Sequence, residues 1–321
     1  YASTGVFTPA AQAADVYHSS SSFTDLSHDV RVWDVKSATM TDTTAAKRTA
    51  IAVDKNGMAH VVYAELDSGS VYYLKYRKQS GWSSGNLSTW NDPVTITTTS
   101  ADGDGLLHFS MAIRSNSDVA EIAYYYRESS SVAQLKYLRC TAYNTCSAEA
   151  VDDGGGKYNS IVVRGSTSTY IAYRGQDGTG DKGYMKFVNR TNTAVWDIET
   201  VNYDQYVTSV SLDYSASTNC VAYTIAPGDG KTYLRYAYRL SKGNWSASTV
   251  TYTGSGLAEV SSFGNLSLKV SSEDKGRLLF WGQSSLGTDY IFHCRQEDNG
   301  ANGCWKKAGP MPRQTDFSNA T

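Results

Sequence analysis

Residues 194–201 read AVWDIETV, and far upstream residues 31–38 read RVWDVKSA, so the chain writes one short phrase twice. Each copy follows a patch rich in Ser, Thr, Asn and Asp, which favours turns, and each sets a Trp among β-branched residues, which favours a half-buried strand. If the phrase is one strand of a repeated unit, the rest of that unit must recur as well.

Working outward, an alternating run centred on an aromatic appears six times: GVFTPA (Phe7), HVVYAE (Tyr63), EIAYYY (Tyr124), YIAYRG (Tyr173), CVAYTI (Tyr223) and LLFWGQ (Phe280). A turn-rich gap and a second strand follow each one, in DVYHSS (His18), YLKYRK (Tyr76), QLKYLR (Tyr137), YMKFVN (Phe187), YLRYAY (Tyr236) and YIFHCR (His293). The interval between the two is 13 residues in four copies, 14 from Tyr173 to Phe187 and 11 from Phe7 to His18. The opening phrase is then a third strand, marked by Trp33, Trp90, Trp196, Trp245 and Trp305, with Ser147 after Cys146 in the remaining unit. Ahead of five of the aromatic runs lies a strand of small and aliphatic residues, TAIAVD (49–54), SMAIR (110–114), SIVVR (160–164), SVSLD (209–213) and NLSLKV (265–270), so in chain order this inner strand is first, the aromatic run second, the Lys/Arg strand third and the Trp strand fourth.

From one aromatic run to the next the steps are 56, 61, 49, 50 and 57 residues. Four short strands recurring at that period are the signature of a β-propeller, whose crowded centre demands small inner residues and whose widening wedges take bulky aromatics. The front unit lacks its first strand, while QTDFSNAT (314–321) is one strand too many. The expected fold is therefore all-β: a six-bladed β-propeller of four-stranded antiparallel blades, its ring closed by a C-terminal strand joining the N-terminal blade, which removes an exposed edge. The sequence then forms one domain over 1–321, with blades at about 1–46 plus 314–321, 47–105, 106–157, 158–205, 206–260 and 261–313. The competing layout is five blades with an N-terminal arm.

Composition agrees with strands, with 24 Tyr and 7 Trp against only 5 Pro. Lys and Arg number 29 against 31 Asp and Glu, a net charge of -2 without a basic cluster, so no nucleic-acid partner is expected. No apolar run nears the roughly 18 to 20 residues that cross a bilayer, so no membrane insertion is expected either. Of the five Cys, Cys140 with Cys146 and Cys294 with Cys304 form close pairs between third and fourth strands, and Cys220 stands alone. These spacings fit local disulfides rather than a metal site, which places the chain in an oxidising setting: secreted, at the cell surface or periplasmic. Cys220 is expected to be a small buried apolar residue. ADGDG (101–105) reads as a turn rather than a calcium loop, and GQDGTGDKG (175–183) precedes no helix that would make it a phosphate loop, so no cofactor is expected.

The pattern S-[IV]-x-[VL]-D, then [VA]-Y, L-[KR]-Y and W, with Cys pairs in LRCTAYNTC (138–146) and FHCRQEDNGANGC (292–304), resembles that of secreted bacterial propellers of the sialidase-like (BNR-type) group over nearly the whole chain. The resemblance implies the fold, and propellers host hydrolases, lectins, lyases and adhesins alike. Sialidases of the group carry an R-I-P stretch and S-x-D-x-G-x-T-W boxes; here R-I-P is absent, and DDGGGKY (152–158) only echoes a box in a different turn. No catalytic residue is assigned.

Function should reside where the repeat is broken, on the face where loops enter the inner strand and leave the second one. Arg48, His108, Tyr158, Tyr206 and Phe263 stand before the inner strands, and Glu65, Arg127, Arg174 and Trp281 after the second strands. Aromatic faces take the apolar face of a pyranose, and Arg, His and Tyr reach its hydroxyls or a carboxylate. The expected function is an extracellular recognition module binding glycan or another surface polymer at the channel mouth, as part of a larger fibre or multidomain protein. The rival is a glycoside hydrolase with Arg48, Arg127 and Arg174 as anion clamps, Asp104, Asp152 or Glu65 as acid/base and Tyr158 or Tyr206 as nucleophile. A protein-interaction scaffold is the third reading.

Overall fold

A computed structural model describes residues 46–66, 71–83, 86–100, 108–114, 117–127, 133–176, 183–191, 195–203, 206–215, 217–250, 260–271, 274–284, 289–296 and 305–311. All regular structure among them is strand, in five antiparallel sheets. The first contains β1 (Ala46–Val53), β2 (Ala59–Leu66), β3 (Val71–Ser83), β4 (Asn86–Trp90) and β5 (Val94–Ser100). The second contains β6 (Phe109–Ile113), β7 (Ala120–Tyr126), β8 (Gln134–Ala142) and β9 (Thr145–Asp152), and the third β10 (Gly155–Arg164), β11 (Ser168–Gly175), β12 (Met185–Thr191) and β13 (Asp197–Asn202). The fourth contains β14 (Val207–Tyr214), β15 (Asn219–Ile225), β16 (Tyr233–Ser241) and β17 (Asn244–Thr249), and the fifth β18 (Val260–Val270), β19 (Gly276–Ser284), β20 (Asp289–Gln296) and β21 (Trp305–Met311).

Within each sheet the strands pair in chain order, and the sheets stand side by side through their first strands, β1 by β6, β6 by β10, β10 by β14 and β14 by β18. The register reproduces the repeat: Val62 faces Tyr76, Ala123 faces Tyr137, Ala172 faces Phe187, Ala222 faces Tyr236 and Leu279 faces His293. The first sheet departs from four strands. Its β3 runs on to Ser83, carrying Trp82, and folds back on β4 before β5 takes the fourth place.

Apolar clusters fill the wedges between successive sheets. Val62, Leu74 and Tyr76 of the first pack with Ile122 and Tyr124 of the second, and Tyr137 of the second with Ile171 and Tyr173 of the third. Phe187 and Val221 join the third sheet to the fourth, and Tyr236 and Phe280 the fourth to the fifth. Each such side chain removed from water contributes roughly 1.5 to 3 kcal/mol. Trp196 meets Tyr137 edge-on at 5.1 Å, and Trp245 meets Phe187 at 5.0 Å, so both Trp residues pack across sheet boundaries.

The serines of the inner strands are more than small. Leu212 N–H donates to Ser160 Oγ at 3.0 Å and Leu268 N–H to Ser211 Oγ at 2.9 Å, each tying one inner strand to the next. The turns from first to second strand are held by side chains: Asp54 Oδ1 accepts from Asn56 and Met58 N–H, both at 2.9 Å, and Ser215 Oγ from Ser217 and Thr218 N–H at 3.2 and 3.1 Å.

Cys140 and Cys146 face each other across β8 and β9 and form a disulfide. Cys294 is buried in β20, and its expected partner Cys304 lies outside the described residues. Cys220 is buried as expected, but its thiol is hydrogen-bonded to Tyr236, and burial pushes its pKa up to about 12. Residues 1–45 and 312–321, on which the front blade and ring closure rest, lie outside the described residues. Among the described residues no helix is long and apolar enough to cross a membrane.

Candidate functional site at the entry end of the inner strands

The turns joining first to second strands lie at one end of the sheets, and the segments linking one sheet to the next lie at the other, where the inner strands begin. At this entry end the inner strands are irregular. Register shifts fall between Ala46 and Arg48, Gly155 and Lys157, Lys157 and Ser160, Val207 and Ser209, and Val260 and Ser262. Such bulges re-aim side chains, and they collect beside sites. Two of the three described non-glycine residues with positive φ also stand here, Tyr158 at 50° and Tyr206 at 63°. A left-handed Tyr costs about 1 to 3 kcal/mol and persists only where its surroundings hold it.

Asn159 supplies that hold. It is 6% exposed; its Nδ2 donates to the carbonyls of Gly156 and His108, both at 2.8 Å, and its Oδ1 accepts from Ser110 Oγ at 2.7 Å. The glycines just ahead thread between the second and third sheets. A Cβ on Gly155, whose φ is 127°, would lie 2.6 Å from Gly175 Cα, and one on Gly156 2.9 Å from Leu135 Cα. The glycine run of DDGGGKY is thus a close crossing of backbones. Asp152 within it accepts from Lys186 Nζ at 2.8 Å and Tyr173 Oη at 2.6 Å. Burial and the Asp152 charge hold the Tyr173 phenol well above its usual pKa.

Side chains of the second and third sheets meet at Tyr158. Its ring lies 4.5 Å from that of His108, which meets Tyr125 edge-on at 6.2 Å, and Lys157 Nζ stands 5.6 Å above the Tyr125 ring. Arg48, exposed in β1 of the first sheet, lies within electrostatic range of this group: desolvation lowers its guanidinium pKa, and the Tyr158 phenol works in the opposite direction. Arg174 faces Lys157 across β10 and β11. Tyr206 is half-buried where the fourth sheet begins, and Arg127 is half-buried just past β7.

Among the described side chains, that of Glu65 does not join this cluster. Glu65 is 7% exposed and committed to Lys75 Nζ at 3.0 Å. Phe263 faces Gly282, and Trp281 faces Gly264, in β18 and β19, and their side chains lie outside the described residues, as does Asp104. Sequence reasoning passed over Tyr125, Lys157 and Asn159. Asn159 carried a signal, since an Asn inside a strand is disfavoured unless its side chain has specific partners. Among the described residues no group of three or more His, Cys, Asp or Glu is placed to hold a metal. The cluster presents aromatic edges and faces beside cations, suited to the apolar faces and hydroxyl or anionic groups of a sugar.

No protein-family model matches the chain, and no curated protein matches it in sequence. Solved structures match its fold. A Hadza microbial sialidase superposes with a TM-score of 0.51 at 12% identity, over 81% of this chain and 57% of that one. Penicillium chrysogenum α-L-arabinanase, complexed with arabinobiose, superposes with a TM-score of 0.50 at 11% identity, over 82% of this chain and 80% of that one. An α-L-arabinofuranosidase from Lactobacillus brevis gives 0.48 at 11% identity, over 82% and 94%. The first two place the sheets of this chain in a sialidase-like β-propeller fold.

Proposed function

We propose that the chain is an extracellular recognition module that binds glycan, or another surface polymer of like chemistry, at the entry end of its inner strands. The observation that carries this reading is the meeting of His108, Tyr125, Lys157 and Tyr158 from two sheets, with Tyr158 in a strained backbone and Arg48 of a third sheet within electrostatic range. Arg127, Arg174 and Tyr206 stand at the same end of the sheets, and Phe263 and Trp281 would extend the binding surface. Propellers of like fold include a sialidase and an arabinanase complexed with arabinobiose, which supports a carbohydrate partner. Two carboxylates of the rival hydrolase, Glu65 and Asp152, already hold Lys75 and Lys186, which favours binding over turnover.

The same reading completes the ring at six blades, with 1–45 and 314–321 supplying the sixth. Ile51 and Val53 on one face of β1 are 67% and 56% exposed, whereas Ala50 on the other face packs against the apolar cluster shared by the first and second sheets, as an inner strand awaiting a further neighbour would do. Ile51 and Val53 would be covered by that blade. The Cys140–Cys146 disulfide supports an oxidising compartment, and hence a secreted, cell-surface or periplasmic chain.

A glycan-array screen followed by product analysis on each retained glycan tests the function. Retention without cleavage is the expected result. Cleavage of a retained glycan would favour the hydrolase reading, and retention of none, the scaffold.

A further inference from the structure

A cavity of about 290 Å³ lies at the opposite end from this cluster, where the turn between β14 and β15 meets the turn between β18 and β19. Tyr236, Tyr238 and Leu240 of β16 give it an apolar wall, with Cys220 beside Tyr236. The Tyr236 hydroxyl is engaged by the Cys220 thiol. Asp274 lines the cavity from the second turn at φ 62°, and its Oδ2 accepts from Ser217 Oγ at 2.6 Å. Hydrogen bonds from Ser215 and Ser217 hold its carboxyl below the usual range, so it is charged at neutral pH.

Its other oxygen, Oδ1, is buried and has no hydrogen-bond partner among the described residues. A carboxylate oxygen in that state is costly unless a donor meets it. Arg239 also reaches the cavity, but its guanidinium is held by Glu199, at 3.1 Å from Nε and by a shorter contact from Nη2. With Arg239 committed to Glu199, no cationic side chain among the described lining residues is left to pair with Asp274. An engineered cavity of about 150 Å³ admits benzene, so the volume here takes a ring together with a short chain.

We propose that this cavity is a second binding site, for a small organic amine whose ammonium group meets Asp274 and whose apolar body lies against Tyr236, Tyr238 and Leu240. The aromatic walls also suit a cation. This site is independent of the glycan surface and stands whether or not that reading holds.

The test titrates 2-phenylethylamine and its neutral counterpart 2-phenylethanol, by calorimetry, into the wild type, Asp274→Asn and Leu240→Trp, with a melting curve for each. Asn tolerates the left-handed backbone at this position, so the first variant keeps the turn. The wild type is expected to bind the amine at least about tenfold more tightly than the alcohol. Asp274→Asn should erase that preference, and Leu240→Trp, which fills the cavity, should abolish binding of both. Equal affinities for amine and alcohol, no binding of either, or an undiminished preference in Asp274→Asn would each overturn the proposal.

Discussion

Trp245 donates its indole N–H to Glu199 at 2.9 Å, across the boundary between the fourth and third sheets. One sheet earlier Trp196 does the same to Glu149 at 3.1 Å, and in each case an arginine of the Trp sheet, Arg239 or Arg190, pairs with the same carboxylate. The phrase AVWDIETV therefore serves two boundaries, its Trp196 facing back and its Glu199 facing forward. Glu199 has a side-chain exposure of 3% and Glu149 of 39%. Glu199→Ala, which strands Arg239, should cost about 3 kcal/mol. Glu149→Ala, at a wetter pair, should cost about 1 kcal/mol. Urea denaturation of the two variants checks the order, and equal losses would refute it.

Tyr206 should show the marks of a residue kept against the interest of stability. Its φ of 63° is one that Asn adopts far more readily. Tyr206→Asn is expected to leave stability unchanged or raise it by up to about 1 kcal/mol. A drop of several degrees in the melting temperature would mean that the ring is needed for packing.

How much of this was legible in the sequence depends on which atoms pair. The 13-residue interval from Tyr63 to Tyr76 fixes a hairpin, because strand partners lie close in the chain, and the register Val62 to Tyr76 follows it. The Glu half of the twin phrase was silent, since Glu199 meets Arg239 forty residues on, in another sheet. Tyr158 was singled out for breaking the repeat, but its left-handed backbone was not, because nothing in a Tyr side chain announces that conformation. The hairpin of β3 and β4 was missed because its Ser, Thr and Asn residues read as a loop.

Acid should weaken the protein partly through Asp54. Its side chain is 0% exposed, and burial alone would raise its pKa. The N–H groups of Met58 and Asn56, with His60 and Lys78, outweigh that and bring it to about 2. A carboxyl depressed in the folded state contributes stability that is whole above its unfolded pKa near 4 and is lost as pH falls through 2. The contribution is about 2 kcal/mol. Asp54→Asn should flatten the decline in urea midpoint between about pH 5 and pH 2; a variant that declines as steeply as the wild type would show that Asp54 plays no such part.

Removal of residues 314–321 tests the six-bladed ring. If these residues close it, the truncated chain loses an inner strand and its melting temperature falls markedly. An unchanged melting curve would sink the closure and leave a ring of five with an arm.

The most direct test of glycan recognition at the entry end is a calorimetric titration of the best-retained glycan into the wild type and Tyr158→Asn. The substitution keeps a left-handed backbone while removing the ring that packs on His108 at the centre of the cluster. The expected result is at least about tenfold weaker binding, as for a residue at the centre of an interface, with the melting curve preserved. Undiminished affinity in a folded Tyr158→Asn would contradict the account and move the site away from the entry end.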